Sequence, residues 1–161
     1  DCVIGADFGH GALRREEWNV IADKARWLAA MVQANSVNYG KNLLDKIVRA
    51  DYVVANQLEI SFLKSKPPTG LIAITEGQKG SFITGPGGKR HHIPAISDDV
   101  VDSVGAGDAY LGCSAPLACV GAPPEIMGFI GSVAAGIKVG RMGNEPVTAT
   151  ELRRTVEHLL R

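Results

Sequence analysis

What this sequence of 161 residues lacks first is net charge: 17 Lys and Arg stand against 17 Asp and Glu, a formal balance of +0. Without a bulk field of one sign there is no footprint of a nucleic acid or an anionic membrane as partner. A basic run such as Lys89-Arg90-His91-His92 is too short to create one. Long apolar runs are missing too. The longest stretch without charge, Ala109 to Pro124, covers 16 residues and is interrupted by Pro116, short of the roughly 20 apolar residues that a spanning helix needs. Cysteine is scarce: Cys2, Cys113 and Cys119 form an odd set with no CxxC pair, which speaks against a disulfide framework and gives no zinc signature. Repeats, linkers and low-complexity segments are absent as well. The expectation is a protein outside the membrane in a reducing, cytoplasmic setting. The chain opens on Asp1 and runs at once into Cys2-Val3-Ile4, without a basic start or a signal-like core, and is expected to be the later part of something larger.

What is present suits one globular α/β domain, with 45% hydrophobic and 21% charged residues. Cys2 to Ala6 is a short apolar run closed by Asp7-Phe8-Gly9-His10-Gly11, as in a buried strand that ends in a turn. Trp18, Ile21, Ala25, Leu28 and Val32 recur at helical spacing. The last of these, Leu28 to Val32, is better read as the next strand, delivering Gln33-Ala34-Asn35-Ser36 to a loop. A short helix is predicted over Lys41 to Arg49, a β-branched strand over Tyr52 to Ala55, and a helix from Asn56 until Pro67-Pro68. Leu71 to Ile74 is a further strand. Gly80 to Thr84 and Lys89 to Pro94, on either side of Gly85-Pro86-Gly87-Gly88, read as a hairpin. Helices are predicted over Gly105 to Cys119, Pro124 to Val139 and Thr150 to Leu160. Strands alternating with helices imply a mostly parallel sheet covered on both faces, with an antiparallel piece near its edge.

In open parallel sheets ligands bind beyond the carboxyl ends of the strands. Asp7, Asn35, Asn56, Thr75 and the segment Asp102 to Asp108 occupy those positions. In that segment, Gly105-Ala106-Gly107 lies at a loop-to-helix junction, where unpaired N–H groups and the helix dipole favour an anion. Asp108 follows in the first turn, placed to accept a proton from a hydroxyl. The plain alternative is a glycine turn with an acidic helix start. Asn56 with Glu59 three residues later reads equally as a capping box and as a carboxylate acting through water on a phosphate-bound Mg²⁺.

Three ordered motifs then resemble a known family. Asp102-Ser103-Val104-Gly105-Ala106-Gly107-Asp108 is similar to the C-terminal D-T-x-G-A-G-D signature of the ribokinase/PfkB carbohydrate kinases, Asn56-Gln57-Leu58-Glu59 to their N-x-x-E motif, and Thr75-Glu76-Gly77-Gln78-Lys79-Gly80 to their T-x-G-x-x-G segment. The resemblance implies a three-layer α/β sandwich of ribokinase type, with residues 1–161 forming one partial kinase domain that lacks the early strands and the lid. It implies ATP-dependent phosphorylation of a sugar or sugar-phosphate hydroxyl. Asp108 is then the catalytic base and Gly105, Ala106 and Gly107 the anion hole. Thr75, Gly77, Gly80, Ala135 and Gly136 line the nucleotide site, and Asn56 and Glu59 organise Mg²⁺. A monovalent cation such as K⁺ is implied near the Asp102 loop and the Gly140 to Gly143 loop.

Val3 to Gly11 further resembles the "SDYGKG" stretch of heptose-phosphate kinases, and Gln33 to Gly40 a "QANSxNxG" segment of kinases joined to a nucleotidyltransferase. That branch makes Asp7, Gly9 and Asn35 substrate-binding residues, and makes a homodimer or a fused nucleotidyltransferase domain an expectation for the parent. Only 15 residues separate Glu59 from Thr75, a short crossover for two parallel strands. The competing expectation is a nucleotide-binding or assembly module without turnover, because a site without its sugar-binding half cannot align an acceptor. A dinucleotide oxidoreductase is disfavoured, since no GxGxxG joins the first strand to the first helix.

Overall fold

The computed structural model describes residues 1–161 except Pro86, Asp98 and Asn144. Strands β1 (Cys2–Asp7), β2 (Trp27–Val32), β3 (Tyr52–Asn56), β4 (Ile72–Thr75), β5 (Ser81–Thr84) and β6 (Arg90–Ile93) form one sheet in the order of the chain. β1 to β4 run parallel, and β5 and β6 are added antiparallel. Helices α1 (Arg15–Lys24) and α2 (Gln57–Ser61) connect parallel strands, whereas α3 (Ala106–Cys119), α4 (Pro124–Val139) and α5 (Ala149–Leu159) follow the last strand.

The alternation of side chains along each strand creates two cores and therefore three layers. Leu28, Ala30, Val32, Val53 and Ala55 pack on one face with Trp18 and Ala22 of α1. Ala29, Met31, Tyr52 and Val54 pack on the other with Tyr110, Leu111 and Ala115 of α3 and Met127 of α4. This explains why Leu28 to Val32 is a strand despite its helical spacing with α1: all five residues are buried, which a helix stripe on a single face would not require. α1 lies so close to the sheet that a Cβ on Gly5 would stand 2.4 Å from the Trp18 ring.

The hairpin, the parallel strands and the three C-terminal helices agree with the sequence reading to within a few residues. Pro86 of the predicted hairpin turn lies outside the described residues. Two helices do not match their predicted extent. Over Lys41 to Arg49 only a 3-10 turn, Leu44–Lys46, forms. Asn42 Nδ2 instead donates to the carbonyls of Asp7 and Gln33, and Asn38 Nδ2 to those of Phe8 and Gln33. Asparagine side chains thus bond distant backbone in place of a local helical ladder. The helix beginning at Gln57 ends at Ser61, well before Pro67. Beyond it Asp45 captures Lys64 N–H at 3.2 Å and the Ser65 hydroxyl at 2.9 Å, holding the chain in an irregular path in place of the predicted helix.

Candidate active site at the N-terminus of α3

The turn entering α3 is anchored from both sides. The N–H groups of Val101 and Asp102 donate to the carbonyl of Val139 at the end of α4, at 2.8 and 3.1 Å. The Asp102 carboxylate accepts from Val104 N–H at 2.9 Å. Gly105 takes a left-handed φ of 81°, which a side chain would strain. Ala106 N–H returns to the Ser103 carbonyl and Ala109 N–H to that of Gly105. Among the described residues the intervening N–H groups of Gly107 and Asp108 have no backbone acceptor. These are free donors at a helix start, a ready place for an anion.

Two cavities meet at this turn. The first, about 360 Å³, is lined by Thr75, Gly77, Gly80, Ala106, Gly107, Ala135 and Gly136, with the apolar side chains of Ile96 and Val139 beside them. All five residues that the resemblance assigns to nucleotide therefore border one space. Gly80 cannot be otherwise: at φ 89° its Cβ would fall 2.1 Å from the Ile93 carbonyl oxygen. The second cavity, about 700 Å³, is bordered by Gly105, Asp108, Lys138, Phe8 and Gln33. The turn is the wall between the two, with Ala106 and Gly107 facing one and Gly105 and Asp108 the other.

Among the described residues Asp108 Oδ1, itself buried, finds no hydrogen-bond partner, a state that suits a donor on a bound ligand. Burial pushes the carboxyl above the usual carboxylate range, and the positive charge of Lys138 opposes part of that rise. Both features suit a group that takes a proton from an incoming hydroxyl.

Asn56 and Glu59 form a reciprocal capping box: Asn56 Oδ1 accepts from Glu59 N–H at 2.9 Å, and Glu59 Oε2 from Asn56 N–H at 2.8 Å. Glu59 Oε1 also accepts from Ala34 N–H at 2.9 Å. Burial raises the Glu59 carboxyl, its hydrogen bonds oppose this, and the negative charge of Asp108 adds to the rise. The buried Glu59 carboxyl thus feels the negative charge of the half-buried Asp108, a field that suits a cation. Among the described residues no three His, Cys, Asp or Glu side chains stand together as a ligand set. The donor set fits a hydrated Mg²⁺ carried on phosphates, which needs few protein ligands.

Asp7, Gly9 and Asn35 are not among the residues that border either cavity. Asp7 is 3% exposed, pairs with the Lys46 ammonium and accepts from Gly9 N–H at 2.8 Å. A Cβ on Gly9 would meet Asn38 Nδ2 at 2.1 Å. Asn35 Oδ1 accepts from Val37 N–H at 2.9 Å. These three brace the loops that present Phe8 and Gln33, the residues that do reach the cavity. Position along the chain marks the distinction, because Phe8 and Gln33 directly follow the strand ends at Asp7 and Val32. Lys138 was also missed, although it is the only charged residue of α4 after Glu125.

Comparison with known proteins bears on the family and the fold. The bifunctional protein HldE of Azotobacter vinelandii is 26% identical over 170 residues, covering 96% of this chain and 35% of its own length. The chain thus spans about a third of such relatives. The nucleoside kinase of Burkholderia thailandensis, solved in complex with inosine, superposes with a TM-score of 0.77 at 21% identity, over 97% of this chain and 55% of that one. The phosphofructokinase-2 of Escherichia coli, solved in complex with potassium, gives a TM-score of 0.76 at 14% identity, over 99% and 57%. Since residues 16–150 match the model of the pfkB family carbohydrate kinases, the chain belongs to that family.

Proposed function

We propose that the chain is the nucleotide-binding and phosphoryl-transfer portion of a kinase that moves the γ-phosphoryl group of ATP to a hydroxyl of a sugar or sugar phosphate, of the heptose-phosphate class. The observation that carries this is the turn Gly105 to Asp108, which separates an apolar cavity from a second one and offers each a different chemistry. Adenine and ribose suit the first, against Ala135, Gly136 and Ile96. The acceptor hydroxyl suits the second, where Asp108 Oδ1, without a partner among the described residues, takes its proton. The free N–H groups of Gly107 and Asp108 meet the phosphoryl group between them and stabilise charge as it develops.

Mg²⁺ on the phosphates, held at one remove through water by Glu59 and Asn56, would neutralise phosphate charge. The protein's own part is alignment: the acceptor oxygen and the phosphorus must be brought in line, an effect that can reach roughly 7–11 kcal/mol. The fused nucleotidyltransferase expected from the resemblance is consistent with the bifunctional relatives. Among the described residues no helix is long and apolar enough to cross a membrane.

The test is sugar-dependent ADP release from Mg·ATP by the protein carrying this chain, over a panel of hexoses, pentoses and heptose phosphates. ADP release only with an acceptor, lost in Asp108→Asn, supports the reading. Nucleotide binding without turnover on any acceptor would replace it by that of a non-catalytic module.

A further inference from the structure

We propose that the Lys138 ammonium is a built-in monovalent cation of the anion-binding turn, and that this chain therefore needs no free K⁺ there. Lys138 is 5% exposed near the end of α4. Its Nζ donates to the carbonyl of Gly143 at 2.5 Å. On its other side it lies under the turn: a Cβ built on Gly105 would stand 3.0 Å from Lys138 Cε and 3.7 Å from Nζ, with Asp108 Oδ2 at 3.9 Å. The ammonium thus bridges the loop after α4 and the start of α3, where the resemblance implied a free cation.

A buried lysine is costly unless its charge is compensated. Gly143 supplies one neutral acceptor, and no direct ion pair joins Lys138 to Asp108, the carboxylate whose proton affinity its charge lowers. Asp108 and Glu145 border the same cavity as Lys138 and Gly105, and an anion received there adds further compensation. A potassium ion and an ammonium group carry the same charge and both favour carbonyl oxygen. With the Gly143 carbonyl already engaged by Nζ, the two would compete for one place. Lys138 is a positioning residue in this scheme: it joins the two loops and adds fixed positive charge behind the free N–H groups of Gly107 and Asp108.

The inference rests on the proposed function only for its activity arm, and a stability arm stands without it. Thermal unfolding of the protein carrying this chain is compared in potassium, ammonium, sodium and choline chloride at matched ionic strength. The wild type is expected to melt at one temperature in all four. Lys138→Met should melt lower in choline and regain stability in potassium or ammonium, because an ion that binds only the folded state raises its stability. In the activity arm, Lys138→Met should lose kcat by about 100-fold, the size of losing one charge-stabilising donor, and recover part of it with potassium or ammonium. Its KM for ATP should change little. Potassium-specific stabilisation of the wild type would overturn the inference without any variant. So would a folded Lys138→Met that responds to no cation. Absence of kinase activity in the wild type would sink the proposed function and leave the stability arm to decide on Lys138.

Discussion

Glu59 accepts the backbone N–H of Ala34 at 2.9 Å and so ties the first turn of α2 to the segment that leaves β2. Its other oxygen accepts from Asn56 N–H at 2.8 Å. A capping box alone tolerates Gln in this position. Here both carboxylate oxygens accept from N–H groups, and an amide can serve only one of them.

Glu59→Gln is therefore expected to lower stability by about 1–3 kcal/mol, the cost of a buried donor left unpaired, less whatever is regained by removing a buried charge. It should also raise the Mg²⁺ concentration needed for half-maximal turnover. Asn56→Ala should remove the cap, about 1 kcal/mol, with a smaller change in Mg²⁺ requirement. Melting curves and Mg²⁺ titrations of both variants check this. Equal Mg²⁺ dependence in wild type and Glu59→Gln would leave the carboxylate a purely structural role.

Asp108 sets function against stability. Burial raises its carboxyl above the value of the unfolded chain, so over the interval between the two values the native state holds a proton that the unfolded state has released. Stability then falls as pH rises through that interval, and the full penalty remains above it. Asp108→Asn should melt no lower than wild type at neutral pH, with any advantage vanishing as pH falls below the ordinary carboxylate range. Turnover should drop at least about 100-fold, the low end for a general base. A variant that keeps its kcat would reduce Asp108 to a helix-start residue.

How much of this was legible in the sequence follows from the range of the interactions concerned. The central strands β2 and β3 could be read because their burial on both faces is written into runs such as Tyr52-Val53-Val54-Ala55, and the turn before α3 because Gly105 and Asp108 are near neighbours in the chain. The loop from Asn35 to Lys46 could not. Its conformation is fixed by bonds from Asn38 and Asn42 to Phe8, Gln33 and Asp7 and from Lys46 to Leu13, partners that no local pattern specifies. Lys138 escaped for the same reason, since its neighbours Gly105 and Asp108 lie about thirty residues earlier in the chain.

Asp7 distinguishes bracing from substrate contact. It is paired with Lys46, which also donates to Leu13 O at 2.9 Å, and Trp18 Nε1 stands 3.5 Å from its carboxylate. Removing one partner of a buried pair costs about 3–5 kcal/mol. Because Lys46 keeps some contact with water, its 18% exposure places Lys46→Met at the low end of that range. Asp7→Asn should likewise lower the melting temperature, with the KM for the acceptor sugar little changed. A raised acceptor KM at unchanged melting temperature would restore Asp7 as a substrate ligand.

Gly136 offers a test of the first cavity that separates filling from unfolding. A Cβ there would lie 3.4 Å from Ile96 Cβ and 3.6 Å from Ser97 Cβ, ordinary contact distances. Gly136→Ala should therefore fit, and it should stabilise α4 by roughly 0.5–1 kcal/mol because glycine within a helix is entropically costly. Any longer side chain must extend past those contacts into the space that Ala135, Ile96 and Val139 share with it. Gly136→Leu is expected to fold, since an open cavity receives the added atoms, but to weaken Mg·ATP binding by at least about tenfold, or ~1.4 kcal/mol. Calorimetric titration with Mg·ATP, paired with melting curves for both variants, measures the two effects separately. If Gly136→Leu folds and binds ATP as tightly as wild type, the adenine lies elsewhere and the first cavity is not the nucleotide site.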